Sequence, residues 1–250
     1  MAFDHLEDKL DVEKLEDYFE VFSGISEPFH STFKYMLDIA SVLDEVDLKK
    51  EYAVYGGYGV LTHLAHKFGE RIIPTWRGSK DIDIVGTERV KSAIKSFYNI
   101  QPESYNHNIG DKKALHIIGG EGEFKVDFSL KDLKELSKYR EEKNLFGIPI
   151  SVMSPYDVIA GKLHISQDDT VSEDTRLKHK IDILTLLGIV QNDEKAFSEV
   201  VKNLDGHGRY NLLKVLETGK GVTENMRMSF GPQLEFRRLL IKYLRQHKAD

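Results

Sequence analysis

The stretch Arg77-Gly78-Ser79-Lys80-Asp81-Ile82-Asp83-Ile84-Val85 decides how the rest of the chain is read. Two carboxylates stand one residue apart between apolar neighbours. In a strand, residues i and i+2 share a face. Asp81 and Asp83 therefore stand side by side, while Ile82 and Ile84 turn to the core. Adjacent anions repel and are costly to hold together. A cation between them relieves that cost, and paired hard oxygen donors suit Mg²⁺ or Mn²⁺. The plainer alternative is a polar loop after Ser79, and the flanking isoleucines argue against it.

A third carboxylate lies in Phe124-Lys125-Val126-Asp127-Phe128, a lone acid in an apolar strand pattern. If this strand pairs beside the first, Asp127 joins the same face; otherwise it is an exposed acid at a strand end. Three such carboxylates suit two metal ions about 3.5–4 Å apart, which promote in-line displacement at phosphorus. Upstream, Tyr55-Gly56-Gly57 follows a predicted strand and precedes a predicted helix. Glycines there let the backbone approach a ligand, and N–H groups at a helix start favour phosphate. No Gly-Lys-Ser/Thr ending follows, so this is not a Walker loop. Ser79 and Arg77 are candidate phosphate contacts; a salt bridge from Arg77 to Asp81 or Glu70 is the structural alternative. His63 and His66 lie three apart on one helix. Without a matching acid or histidine at metal-ligand spacing, they read as an ordinary helix pair.

The 250-residue chain is long enough for one large or two modest domains. Its 40% hydrophobic and 30% charged content is that of a soluble globular protein. No apolar run approaches the ~18 residues of a membrane span. The N-terminus is acidic (Asp4, Glu7, Asp8, Asp11, Glu13), unlike a signal or transit peptide. The sequence has no cysteine, which excludes disulfides, thiolate zinc sites and a cysteine nucleophile. A cytoplasmic location with no membrane contact is the expectation. The net charge of -6 argues against bulk nucleic-acid coating. The C-terminal stretch is nevertheless basic, from Arg227 through Arg237, Arg238, Lys242, Arg245 and Lys248: either a solvated helix face or a phosphate-contacting surface.

The expected architecture is α/β (α+β): a mixed sheet with flanking helices over residues 1–150, then a helical bundle over 151–250. Helices are predicted over 4–22, 31–43 behind a Ser31 or Thr32 cap, 60–68 and 88–97. Strands are predicted over 51–55 and 81–85, with a hairpin of 114–118 and 124–130 around Gly119-Gly120-Glu121-Gly122. After Pro149 the pattern becomes helical: 155–166 with Ser154-Pro155 as its start, 173–187, 194–203, 209–217 and 233–247. In this half Asp157, Lys162, Lys178 and Asp182 stand out, because Lys162 and Asp182 fall among apolar helix positions. Charges there are costly unless paired or used. They pair as a bridge between helices, or Lys162 and Lys178 reach a nucleotide's phosphates.

Together these residues resemble the nucleotidyltransferase superfamily: Gly56-Gly57, Asp81-Ile82-Asp83, then Val126-Asp127-Phe128 on a neighbouring strand. More narrowly, the chain resembles the AbiEii-like branch, the toxin half of type IV toxin–antitoxin systems. That branch shows Arg-x-Ser-x-Asp-x-Asp, matched by Arg77 to Asp83. It also has a Lys-Leu-His-type element, matched by Lys162-Leu163-His164, and an Arg-x-Lys-Asp-x-x-Asp element, matched by Arg176 to Asp182. The resemblance covers residues 50–190. It departs from the branch in the longer gap between Gly57 and Arg77, which adds Phe68 to Trp76, and in His179, where the branch usually has Asp.

The resemblance implies metal binding by Asp81 and Asp83, with Asp127 as third ligand or as base for the acceptor hydroxyl. It implies that Gly56, Gly57 and Ser79 hold the triphosphate of an NTP, assisted by Lys162 and Lys178. The expected activity is transfer of an NMP to a tRNA end, a protein or a small molecule, with two Mg²⁺ or Mn²⁺ ions and an antitoxin protein as partner. Two other readings remain at this point: a non-catalytic nucleotide-sensing or partner-binding module, and a metal-dependent phosphohydrolase.

Overall fold

In the computed structural model, the described residues are 6, 9–98, 113–119, 122–193, 195–202, 204–225 and 232–246. Asp4, Glu7, Asp8, Gly120, Glu121, Arg227 and Lys248, named above, lie outside them, as do residues 194, 203 and 247 of the expected helices. The chain divides into two compact units, Met1–Ser154 and Pro155–Asp250. Residues 151–153 stay with the first unit, past the expected boundary at 150, because they form a strand of its sheet.

The first unit runs α1 (Val12–Phe22), α2 (Glu27–Glu45), β1 (Tyr52–Tyr55), α3 (Gly56–Phe68), a 3₁₀ helix (Glu70–Thr75) and β2 (Asp81–Gly86). It continues with α4 (Glu88–Phe97), β3 (Lys113–Gly119), β4 (Gly122–Leu130), α5 (Leu133–Leu136), β5 (Arg140–Leu145) and β6 (Ile148–Met153). The sheet is six-stranded and mixed, in the order β3-β4-β2-β1-β6-β5. Strands β2 and β4 are parallel, as are β1 and β6; the remaining neighbours are antiparallel.

One face of the sheet carries the core. Ile82, Ile84, Val126, Phe128, Tyr52, Val54 and Ile150 are fully buried there in one cluster with Phe33, Met36, Leu37, Leu61 and Val90 of the helices. The alternation in β2 is what separates this face from the other: Asp81 and Asp83 are half-buried while Ile82 and Ile84 are buried. At the far end of the opposite face, Ala53, Val85 and Leu136 form a small satellite cluster.

Several expected bounds shift. Helix α2 starts at Glu27 rather than at a Ser31 or Thr32 cap, with Ser26 as its cap and Pro28 in the first turn. Thr32 instead donates its hydroxyl back to the Pro28 carbonyl at 2.7 Å. Gly56-Gly57 is not a turn ahead of the helix; it is the helix's first turn. Of the residues 68–76 that lengthen the gap before Arg77, Glu70–Thr75 form the 3₁₀ helix, and its Ile73 is buried in the core. The β5–β6 hairpin was not expected at all.

The second unit comprises α6 (Pro155–Ser166), α7 (Glu173–Val190), α8 (Ala196–Lys202), α9 (Gly206–Asn225) and α10 (Leu234–Gln246). Ser172 caps α7 by accepting from the Thr175 amide at 3.2 Å. The unit's buried residues include Ile159, Leu163, Ile183, Leu187, Leu213, Leu216, Leu240 and Leu244. Part of the basic C-terminal stretch is engaged within the unit. Arg237 donates to the Leu216 carbonyl, and Arg245 pairs with Glu217 at 3.0 Å.

Candidate functional site

The site grows from the register of three strands. Asp83 of β2 lies directly opposite Asp127 of the parallel strand β4 and opposite Tyr55 of the antiparallel strand β1. Residues in register on neighbouring strands share a face. The face turned away from the core therefore carries Asp81, Asp83, Lys125, Asp127, Ser129 and Tyr55, all half-buried, against the buried alternation of Ile82, Ile84, Val126 and Phe128. The Tyr55 hydroxyl reaches across β2 to within 3.3 Å of Ser129 Oγ. Burial raises the Tyr55 phenol above its ordinary value, and the negative charges of Asp83, Asp127 and Asp81 push it the same way.

Helix α3 starts against these carboxylates. Gly56 adopts φ +62°, a left-handed conformation that glycine takes freely. A Cβ placed on it would fall 1.7 Å from Asp83 Oδ2. A Cβ on Gly57 would fall 2.8 Å from Ser79 Oγ. Both glycines are thus required by close approach of the helix's first turn to Asp83 and Ser79. Ser79 in turn donates to Asp81 Oδ1 at 3.1 Å, and the Tyr58 hydroxyl donates to the Ser79 carbonyl at 3.2 Å. Gly78, at φ +78°, turns the chain between Arg77 and Ser79. Arg77 donates to the Gly78 carbonyl at 2.7 Å and lies 5.0 Å over the Trp76 ring.

One neighbour of the acids was missed in the sequence. Lys125 Nζ lies 2.6 Å from Asp127 Oδ2. Burial pulls the Lys125 ammonium down, but its bond to Asp127 and the charges of Asp127, Asp81 and Asp83 more than reverse this, so its value is raised. The signal was present: Lys125 is two residues before Asp127 in the same predicted strand, and so on the same face. Tyr55 and Ser129 were legible by the same rule.

The donor set fits a hard divalent cation in kind, three carboxylates on one half-open face. As they stand, the acids are engaged elsewhere: Asp81 by Ser79 and Asp127 by Lys125. No set of three or more histidine or acidic side chains among the described residues is arranged to hold a metal ion.

His63 is buried, and its Nε2–H donates to the Met153 carbonyl at 2.8 Å. Burial lowers its value to about 4, so it is a neutral structural donor. The second unit holds the other two candidates. Lys162 is buried on α6, and its Nζ lies 2.7 Å from Asp182 Oδ2 on α7, an ion pair whose side chains are 7% and 0% exposed. Lys178 is exposed on α7. No helix among the described residues is long and apolar enough to cross a membrane.

No protein-family model matches the chain, and no curated protein does. Among solved structures, it is similar to the crystal structure of an antigenic nucleotidyltransferase-like protein from Paracoccidioides brasiliensis. The two are 14% identical, with a TM-score of 0.46, over 81% of this chain and 93% of that one. At that level of likeness nothing about activity passes from that protein to this chain.

Proposed function

We propose that the chain is a nucleotidyltransferase that moves an NMP from an NTP to an acceptor hydroxyl. The observation that carries this reading is the register of Asp83 with Asp127 on one half-open face, with the glycine start of α3 against the Asp83 carboxylate. In this reading the N–H groups of the α3 start and the Ser79 hydroxyl receive the triphosphate, and Arg77 pairs with a phosphate oxygen. Asp127 accepts the proton of the acceptor hydroxyl. The acceptor oxygen bonds to the α-phosphorus, the bond from that phosphorus to the bridging oxygen breaks, and pyrophosphate leaves. Asp81, Asp83 and Asp127 would hold Mg²⁺ or Mn²⁺, which neutralises charge on the phosphates and the leaving group. Most of the rate enhancement comes from positioning and electrostatics, so the rigid sheet that fixes the carboxylates is the main device.

The finer reading is the AbiEii-like branch, a toxin acting on a tRNA end or a protein and restrained by an antitoxin. It rests on Arg77-Gly78-Ser79-Lys80-Asp81-Ile82-Asp83 together with Lys162-Leu163-His164 and the Arg176–Asp182 element.

The test incubates the protein with each α-³²P-labelled NTP, Mg²⁺ or Mn²⁺, and total tRNA, beside Asp81→Ala/Asp83→Ala. Label appearing on RNA or protein with wild type alone is the expected result, and it identifies base and acceptor together. Nucleotide binding without transfer to any acceptor overturns catalysis in favour of a sensing module, and release of labelled product without a labelled acceptor favours a phosphohydrolase.

A further inference from the structure

Lys125 has no part in the roles assigned so far, yet its ammonium pairs with one of the three carboxylates. Its Nζ sits 2.6 Å from Asp127 Oδ2, and in the strand register it stands opposite Asp81. It therefore occupies one oxygen of a proposed metal ligand. The contact is easily broken. The Lys125 side chain is 41% exposed, and an ammonium on a four-carbon stem pivots at small cost when another anion is offered. Binding at the α3 start would offer one, because Asp83, against which Gly56 packs, is on the same face as Lys125.

We propose that Lys125 is a resident counter-ion of the carboxylate face: it neutralises the acids while no divalent cation is bound, then exchanges Asp127 for a phosphate oxygen of the incoming nucleotide. This rests on the nucleotidyltransferase reading and assigns Lys125 a positioning role within it. The device solves a physical problem. Three carboxylates on one face repel; a tethered cation holds them ready, and its release supplies a phosphate contact at the moment the acids are needed.

The exchange makes opposite predictions for metal alone and for metal with nucleotide. Removing the competing ammonium tightens the site for a bare cation, since a charge within about 4–6 Å shifts such an equilibrium by one or more powers of ten. It also deletes the phosphate contact. The probes are Mn²⁺ alone, followed by electron paramagnetic resonance, and ATP, CTP, GTP or UTP in saturating Mn²⁺, followed by calorimetry. They are applied to wild type, Lys125→Met, Lys125→Gln, Lys125→Arg and Asp83→Asn.

Lys125→Met and Lys125→Gln are expected to bind Mn²⁺ roughly tenfold tighter than wild type and the preferred NTP roughly tenfold weaker. Lys125→Arg, which keeps the charge, is expected to stay near wild type in both. A purely structural lysine would weaken both bindings or neither, and either result overturns the proposal. If Asp83→Asn abolishes Mn²⁺ binding while the Lys125 variants match wild type, the metal site stands and the exchange falls. If wild type binds no Mn²⁺, both fall.

Discussion

Two lysine–aspartate pairs of nearly equal length sit in this chain with opposite surroundings. Lys125 and Asp127 meet at 2.6 Å on a half-open sheet face, with side chains 41% and 22% exposed. Lys162 and Asp182 meet at 2.7 Å between two helices, 7% and 0% exposed. Length alone would make them equivalents. Burial makes them opposites, because a desolvated charge that loses its partner has no water to turn to, whereas an exposed one does. The buried pair is therefore committed to its contact, and the open pair is free to exchange.

The largest expected effect tests that commitment. Lys162→Met removes the ammonium that faces the buried Asp182 carboxylate and is expected to cost about 3–5 kcal/mol in urea unfolding. Lys162→Met/Asp182→Leu, which removes both charges, is expected to recover most of the loss. A neutral single substitution would break the comparison.

His63 sharpens it by asking whether burial alone sets the cost. Its folded value of about 4 lies below the ordinary 6.5, so between these values the unfolded chain binds the extra proton. Stability is complete above about pH 6.5 and falls as pH drops towards 4, by up to about 3 kcal/mol. His63→Gln is expected to flatten that slope when unfolding is measured between pH 7 and 4.5.

Gly56→Ala comes next. Its methyl would meet Asp83 Oδ2 in a left-handed backbone, for a stability loss of about 1–2 kcal/mol. The same change displaces a proposed metal ligand, so nucleotide labelling is expected to fall by far more than stability does. The smallest effect belongs to the open pair: Lys125→Met is expected to change unfolding free energy by no more than about 1 kcal/mol. A loss matching that of Lys162→Met would erase the distinction between the two pairs.

Much of the sheet was legible because its strands write their faces locally. Asp81-Ile82-Asp83-Ile84 alternates cleanly, and Thr87 accepts from the Val90 amide at the start of α4. The β5–β6 hairpin was not legible. Arg140-Glu141-Glu142-Lys143-Asn144 has no apolar alternation, because β5 is an edge strand with solvent to satisfy its charges, and Pro149 reads as a break. Its turn at Phe146-Gly147 is held by the Phe146 amide donating to Glu70, a contact 76 residues distant in sequence. The Lys125–Asp127 pair was readable from an i, i+2 spacing. For Lys162 and Asp182, the sequence left pairing and phosphate binding both open.

The sequence by itself determined which residues alternate, which helices are amphipathic, and that three carboxylates are placed in two strands. Those follow from steric rules that act over a few neighbouring residues. Only the tertiary structure decided that β2 and β4 pair in parallel with Asp83 opposite Asp127, that Gly56 presses on Asp83, and which cations Asp127 and Asp182 keep. Strand register and ion-pair choice arise from contacts between segments far apart in the chain, where packing of the whole core sets which local option is cheapest.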